Sequence, residues 1–233
     1  MSVVLTLRSF MGDSPTCGST GRSIGALIMP CDAHATTDEH REALAHPPAT
    51  LRPHDVTLRG PRLLLRPLTE DDWAPLLAWN NDAEVLAWTE GDEIASRTLD
   101  EVQRIYRAIS VNSHCFLMEL DGTPIGECWL QRMNLERLVA RHLGEDVRRI
   151  DIAIGLPALW GRGLGREAVG LLLDFGFRRE GVDVIYACVD AGNVRSRRMF
   201  ESLGFAVESG MDSAGTDDDL DLALRRGDYA SAD

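Results

Sequence analysis

The sequence predicts a mixed α/β fold: one sheet with helices packed on it around a single core. Three observations predict it. Strand-like and helix-like runs alternate from Arg62 onward, the strongest helical stripe is followed at once by a hairpin, and a glycine-rich turn leads from a late strand straight into a helix. The order along the chain reads β-α-α-β-β-β-α-β-α-β-β.

The elements follow one by one. Residues 62–68 (RLLLRPL) form a short strand. Thr69 followed by Asp72 resembles a capping box, and Trp73, Leu76 and Leu77 then share a helical face. Trp79 and Trp88 flank a second short helix or turn. Thr98 and Glu101 repeat the capping signal, and Leu99, Val102, Ile105, Tyr106 and Ile109 recur at helical spacing. Residues 115–120 and 124–133 are strands joined at Asp121-Gly122, a hairpin-turn dipeptide. Residues 150–154 and 184–189 are buried strands, and 165–179 and 194–203 are helices. Residues 205–208 and 220–224 close the chain as strands. Ahead of this, residues 1–55 mix small residues with five prolines and show no sustained period. They are expected to be a poorly ordered extension with one short helix at 37–45, leaving 56–233 as the folded domain.

Composition narrows the function. The 233 residues carry a net charge of −13, which disfavours nucleic acid and anionic membrane as partners. The charge is unevenly spread: residues 70–101 hold a net of −9 and residues 208–233 a net of −6, so the remainder is slightly basic. A cationic partner suits that distribution. All 24 basic residues are arginine. Five widely spaced cysteines with no C-x-x-C pair argue against a disulfide framework and a zinc site, and no metal is expected. No apolar run approaches a membrane span, and no basic stretch precedes an apolar core near the first residue. A cytoplasmic location is the expectation.

The chemistry concentrates between Arg149 and Phe205. A strand enters Trp160-Gly161-Arg162-Gly163-Leu164-Gly165 and then a helix. Glycines that turn backbone N–H groups inward, next to the positive end of a helix, form an anion cradle suited to a pyrophosphate, with Arg162 and Arg166 adding charge. A Walker loop is impossible without lysine. Further on stand Asn193, Ser196, Phe200, Glu201, Gly204 and Phe205 in one segment.

With both motifs in this order, the chain resembles the GCN5-related N-acetyltransferases from about residue 60 to residue 228. Their R/Q-x-x-G-x-G/A loop cradles the coenzyme A pyrophosphate, and their N-x-x-S/A-x-x-x-Y-E-x-x-G-F segment lines the pantetheine arm. The resemblance implies a mostly antiparallel sheet whose splayed parallel strands hold acetyl-CoA. It assigns Gly161, Arg162, Gly163, Leu164, Gly165 and Arg166 to the pyrophosphate, Ala153, Ile154 and Gly155 to the thioester, and Asn193, Ser196 and Phe200 to the pantetheine and sulfur side. Asn193 and Ser196 also read as an N-cap pair. Two departures stand out: Trp160 replaces Gln or Arg, and Phe200 replaces the Tyr that protonates the leaving thiolate in many members. Phe200 leaves open a sensor that binds acetyl-CoA without catalysis.

Acetyl transfer needs a neutral amine, hence a base, and support for the developing oxyanion. Glu127 and Asp151 are the strand acids near the gap. Either could be the base or hold the acceptor's ammonium, and each could instead pair with an arginine such as Arg148 or Arg149. The leaving thiolate could take its proton from water or from the departing ammonium, with Ser196 a weaker candidate donor. Two branches of the family are similar here. Segments from Leu77 to Gln103 resemble the acceptor side of the aminoglycoside 6′-N-acetyltransferases, which act in antibiotic resistance. Residues 62–72 and the glycine loop are shared with the acetyltransferases of ribosomal-protein N-termini. The acidic segments favour the first, with Trp88, Glu90, Asp92, Glu127, Asp151, Asp217 and Asp218 binding a cationic small-molecule amine. A monomer or homodimer is expected.

Overall fold

A computed structural model describes residues 36–89, 96–190, 192–208 and 219–230. Eight strands form one sheet in the order β1-β2-β3-β4-β5-β6-β8-β7. They are β1 (Leu58–Arg59), β2 (Leu63–Pro67), β3 (Ser113–Leu120), β4 (Thr123–Arg132), β5 (Val147–Ile154), β6 (Val184–Asp190), β7 (Ala206–Val207) and β8 (Asp219–Arg225). All neighbours are antiparallel except β5 and β6. Asp121 takes φ 51° and Gly122 φ 76° in the β3–β4 turn, the left-handed pair that a two-residue hairpin demands.

The parallel pair is where the sheet opens. β5 and β6 pair only through Val147–Val184, Arg148–Ile185 and Arg149–Tyr186, although β5 continues to Ile154 and β6 to Asp190. Past Arg149 and Tyr186 the two strands part. Backbone hydrogen bonding shows what faces the gap. Gly155 N–H donates to Ile125 O at 2.9 Å and Met133 N–H to Val147 O at 2.9 Å, which sets the alternation along β4 and β5. Ala153, Asp151 and Arg149 therefore bond to β4, while Ile152 and Ile154 turn their N–H and C=O groups toward β6.

Each face of the sheet has its own core. Ile150, Ile152, Ile154, Cys128 and Leu130 pack on α6 (Leu164–Leu173), which runs on into a π-helical turn (Asp174–Arg179). The opposite face, with Cys115, Leu117 and Trp129, packs on α2 (Trp73–Trp79) and α4 (Leu99–Ser110). The alternation of one strand thus sends Asp151 to the α2/α4 face and Ile150 and Ile152 to the α6 face. α3 (Ala83–Thr89), α5 (Glu136–Arg141), α7 (Val194–Glu201) and α8 (Arg226–Ala230) complete the helices that follow α1 (Asp38–Ala45). Among the described residues no helix is long and apolar enough to cross a membrane, and no cluster of three or more His, Cys, Asp or Glu side chains could hold a metal ion.

The Thr98–Glu101 capping box forms in both directions, Thr98 N–H to Glu101 at 2.7 Å and Glu101 N–H to Thr98 Oγ1 at 3.3 Å. Leu99 departs from the apolar stripe and is 43% exposed, since the first helical residue points away from the sheet while Val102, Tyr106 and Ile109 are buried. At the other predicted box the helix starts later. Asp72 holds the N-cap position of α2 without a side-chain bond to the helix, and its carboxylate accepts instead from Thr69 and from Arg66. Residues 36–55 pack on the sheet's helices and on the loop after β4. Thr36 bridges Leu135, α1 lies against α4, and Ala43 and Leu51 are buried. Leu51 N–H donates to Glu70 at 2.6 Å and Arg52 N–H to Ser110 Oγ at 2.9 Å. Composition cannot register such partners, because they lie far along the chain.

Candidate active site

The glycine loop and the strand gap are joined by one side chain. Trp160 Nε1 donates to Ile154 O at 2.7 Å, tying the loop to the end of β5. Gly161 and Gly163 take φ 74° and 76°, a region that side chains disfavour, and a Cβ on Gly161 would meet nothing within 4 Å. Gly163 is the N-cap of α6 and offers no side chain to the first-turn amides, which leaves them for an anion. Arg62 braces the loop from outside, bonding Glu167 through Nε at 2.7 Å and the Arg162 carbonyl at 2.9 Å.

Two buried carboxyls lie on the α2/α4 face at the level of the gap. Glu127 faces Ala153 in the ladder and Asp151 faces Trp129, so the two acids are diagonal neighbours, each 4% exposed. Their surroundings differ. Asp151 receives Arg149 Nε at 2.8 Å and Nη2 at 2.5 Å, and Trp129 Nε1 at 2.9 Å. Glu127 receives the Tyr106 hydroxyl on Oε1, while its Oε2 is buried with no hydrogen-bond partner in the structure. Burial pushes the Glu127 carboxyl up to about 8, against the pull of Tyr106 and Arg97, and Asp151 adds to the rise. Tyr106 continues a buried chain. Asn80 Nδ2 donates to its hydroxyl at 3.1 Å, and Arg97 Nη1 donates to Asn80 Oδ1 at 2.8 Å.

Three comparisons bear on this geometry. A family model described as an acetyltransferase (GNAT) domain matches residues 62–206. This chain belongs to the GNAT acetyltransferases. It is an acetyl-CoA-dependent N-acetyltransferase by that membership, and the splayed β5–β6 pair is the fold the family motifs implied. The chain is 28% identical over 155 residues to aminoglycoside N(6′)-acetyltransferase type 1 of Klebsiella pneumoniae and of Serratia marcescens, covering 64% of this chain and 77% of each relative. Among solved structures, a GNAT-family acetyltransferase from Bacillus anthracis matches with TM-score 0.60 at 17% identity, covering 74% of this chain and 99% of that one. An aminoglycoside acetyltransferase in complex with coenzyme A matches with TM-score 0.58 at 23% identity, covering 72% and 98%. A spermidine N-acetyltransferase from Vibrio cholerae with coenzyme A and spermine matches with TM-score 0.57 at 20% identity, covering 73% and 99%.

The acetyltransferase's residues fit the cofactor on their own evidence. Ser196 is fully buried near the start of α7 and its Oγ has no partner in the structure, a polar atom that a pantetheine amide would satisfy. Asn193 serves as the N-cap, its side chain accepting Ser196 N–H at 3.1 Å. Leu164 and Gly165 are buried at the helix start, whereas Arg162 and Arg166 are exposed, Arg166 reaching the Ser202 carbonyl at 3.4 Å. Phe200 is fully buried and stacked edge-on against Phe205 at 5.0 Å, with no proton to give. One assignment is corrected. Gly155 N–H is committed to Ile125 O, so the amide in this stretch that faces the gap is that of Ile154, and Ala153 faces β4.

Asp151 does pair with Arg149, while Arg148 pairs with Asp146 at 2.6 Å. Glu90, Asp92, Asp217 and Asp218 lie outside the described residues, as does the side chain of Trp88. Much of the remaining acidity is structural. Glu70 pairs with Arg107, Asp72 with Arg66, Glu208 with Arg141, and buried Asp221 with Arg137, while Asp82 caps the start of α3. Sequence reading missed Tyr106, Asn80 and Arg97 as site residues. Tyr106 was legible only as one member of an apolar stripe, and nothing in the spacing linked it to Glu127.

Proposed function

We propose that this acetyltransferase modifies the primary amine of a cationic small molecule, foremost an aminoglycoside at its 6′ position. The observation that carries the reading is the pair of buried carboxyls, Glu127 and Asp151, adjacent on the face opposite α6. Asp151 is paired with Arg149, whereas Glu127 keeps a buried oxygen without a hydrogen-bond partner, an acceptor for the N–H of an incoming amine. The similarity to the aminoglycoside N(6′)-acetyltransferases supports the same class.

The two carboxyls divide the work because their environments differ. Asp151, bonded by Arg149 and Trp129, is the acid assigned to the acceptor's ammonium. Glu127, with one bare oxygen and a proton affinity matched to mild alkaline pH, takes the proton from the attacking amine. Acetyl-CoA, when bound, supplies an acetyl thioester open to attack by an amine. Ile154 N–H, turned into the gap, supports negative charge developing on a carbonyl oxygen there. Gly161, Arg162, Gly163, Leu164, Gly165 and Arg166 hold the pyrophosphate, and Asn193 and Ser196 flank the pantetheine. Phe200 has no proton to give the departing sulfur, so that proton comes from water or from the nitrogen as it is acetylated, with Ser196 as the weaker candidate donor.

An acceptor screen that follows thiol release tests the reading. Kanamycin and tobramycin release thiol in the expected result, and peptides beginning with Ala or Ser do not. The reverse pattern selects protein N-termini instead. Resistance in cells expressing the chain follows from the first outcome.

A further inference from the structure

The Glu127 carboxyl stands at the end of a run of buried hydrogen bonds in which every proton points one way. The run starts at Arg97, which is buried and whose guanidinium can donate but never accept. Its Nη1 donates to Asn80 Oδ1 at 2.8 Å, and that contact fixes which way the Asn80 amide faces. Nδ2 then points to the other side, where it donates to Leu76 O at 2.9 Å and to the Tyr106 hydroxyl oxygen at 3.1 Å. Asn80 Nδ2 has nothing to accept the phenol proton. Tyr106 is 1% exposed, and an unspent buried O–H is costly, so its proton goes to Glu127 Oε1.

Both ends of the run are held. Asn81 pins the Arg97 backbone, since Arg97 N–H donates to Asn81 Oδ1 at 2.8 Å and Asn81 Nδ2 donates to Arg97 O at 3.0 Å. The Tyr106 ring lies edge-on to Trp73 and Trp129, with centroids 6.5 Å and 6.1 Å away. Neither the ring nor the amide can turn without breaking a buried contact.

The two oxygens of Glu127 are therefore unequal. Oε1 accepts from Tyr106 whether the carboxyl is neutral or ionised. The titrating proton belongs to Oε2, the buried oxygen with no hydrogen-bond partner in the structure. The charged and titratable groups acting on this carboxyl are Tyr106 from α4, Arg97 ahead of α4, Asp151 from β5 and Cys115 from β3. Burial pushes the Tyr106 phenol and the Cys115 thiol well up, so both keep their protons, while Arg97 and Asp151 act on Glu127 in opposite directions.

We propose that Tyr106 is a positioning residue for acetyl transfer: held by Asn80 and Arg97, its hydroxyl orients the Glu127 carboxyl so that Oε2 is the atom that takes the proton from the attacking amine. The inference deepens the reading of Glu127 as the base, and it rests on that reading.

The test uses the full chain with Tyr106→Phe, Asn80→Asp, Glu127→Gln and the double variant that joins Tyr106→Phe to Glu127→Gln. Its first readout needs no acceptor. The carboxyl carbon resonance of Glu127, assigned by its loss in Glu127→Gln, reports the pH at which the group titrates. Tyr106→Phe keeps the ring but removes a hydrogen bond to the ionised carboxylate, so the titration moves up by about one pH unit. Asn80→Asp keeps an oxygen for Arg97 and draws the phenol proton away from Glu127, which moves the titration the same way. The second readout is kinetic, with kanamycin as acceptor at saturation. Tyr106→Phe lowers kcat roughly tenfold with the acetyl-CoA KM unchanged, and adds no further loss when Glu127 is already Gln. An unchanged titration or an unchanged kcat in Tyr106→Phe overturns the inference and leaves Glu127 as the base. Additive losses in the double variant overturn it too. Glu127→Gln with the parent kcat refutes the Glu127 reading itself, and the inference falls with it.

Discussion

The indole ring of Trp79 lies so close to Gly155 that a Cβ on that glycine would stand 2.1 Å from Cγ of the ring. Trp79 closes α2, and Gly155 follows the last residue of β5, so this contact joins the acceptor-side helices to the mouth of the strand gap. Gly155→Ala must displace the indole. The expected cost is about 1–3 kcal/mol of stability, as for overpacked cores, with a larger fall in kcat/KM for the acceptor than in acetyl-CoA binding. Thermal melts and steady-state kinetics on one preparation measure both.

Glu127 sets the pH dependence. With its carboxyl pushed up to about 8, the proton-accepting form grows as pH rises, so kcat/KM for the amine climbs through pH 8. Glu127→Gln removes that limb and lowers kcat by about 100-fold or more. Stability moves the other way. The folded chain keeps a proton on Glu127 that the unfolded chain releases from about 4.5 upward. The stability linked to that proton is complete below pH 4.5 and is lost as pH rises through 8. Relative to Glu127→Gln, the parent chain therefore melts progressively lower between pH 5 and pH 9. A constant gap in melting temperature contradicts the assignment.

Asp151 answers to a different measurement. Asp151→Asn keeps an oxygen for Arg149 and Trp129 but loses the negative charge. KM for a polycationic acceptor rises, while kcat at saturation falls less than in Glu127→Gln. Equal and parallel losses in the two variants contradict the division of roles.

The cofactor loop is tested without any acceptor. Gly163 at φ 76° cannot become Val without strain of about 1–2 kcal/mol. Gly163→Val thus weakens acetyl-CoA roughly tenfold, seen as a smaller thermal shift at fixed ligand. Ser196→Ala removes an orphaned hydroxyl, so it costs the empty protein little and reduces the same shift.

How far the sequence carried the account depended on range. The glycine loop, the Thr98–Glu101 box and the Asp121-Gly122 turn are local, each written in a few consecutive residues, and all three stand in the structure. Period-2 alternation puts Glu127 on one face with Trp129, and Asp151 opposite Ile150 and Ile152, because one strand's pleat is also local. The partners of those acids were not legible. Tyr106 meets Glu127 across 21 positions and Trp129 meets Asp151 across 22, and no spacing rule spans such distances. The hydrogen-bond alternation that commits Gly155 to Ile125 depends on the β4–β5 register, which the hairpin alone does not set. α1 escaped for the same reason: its short helix was visible, its seat on Asn134 and Leu135 was not.

The central claim is that an acetyl group goes to the amine of a small polycation held by Asp151 and Glu127. Thiol release from acetyl-CoA, measured side by side with kanamycin and with peptides beginning Ala or Ser, tests it most directly. The account predicts saturable release with kanamycin that falls sharply in Glu127→Gln, and none with the peptides. Release with the peptides alone, or release with kanamycin that both carboxyl variants leave untouched, contradicts it.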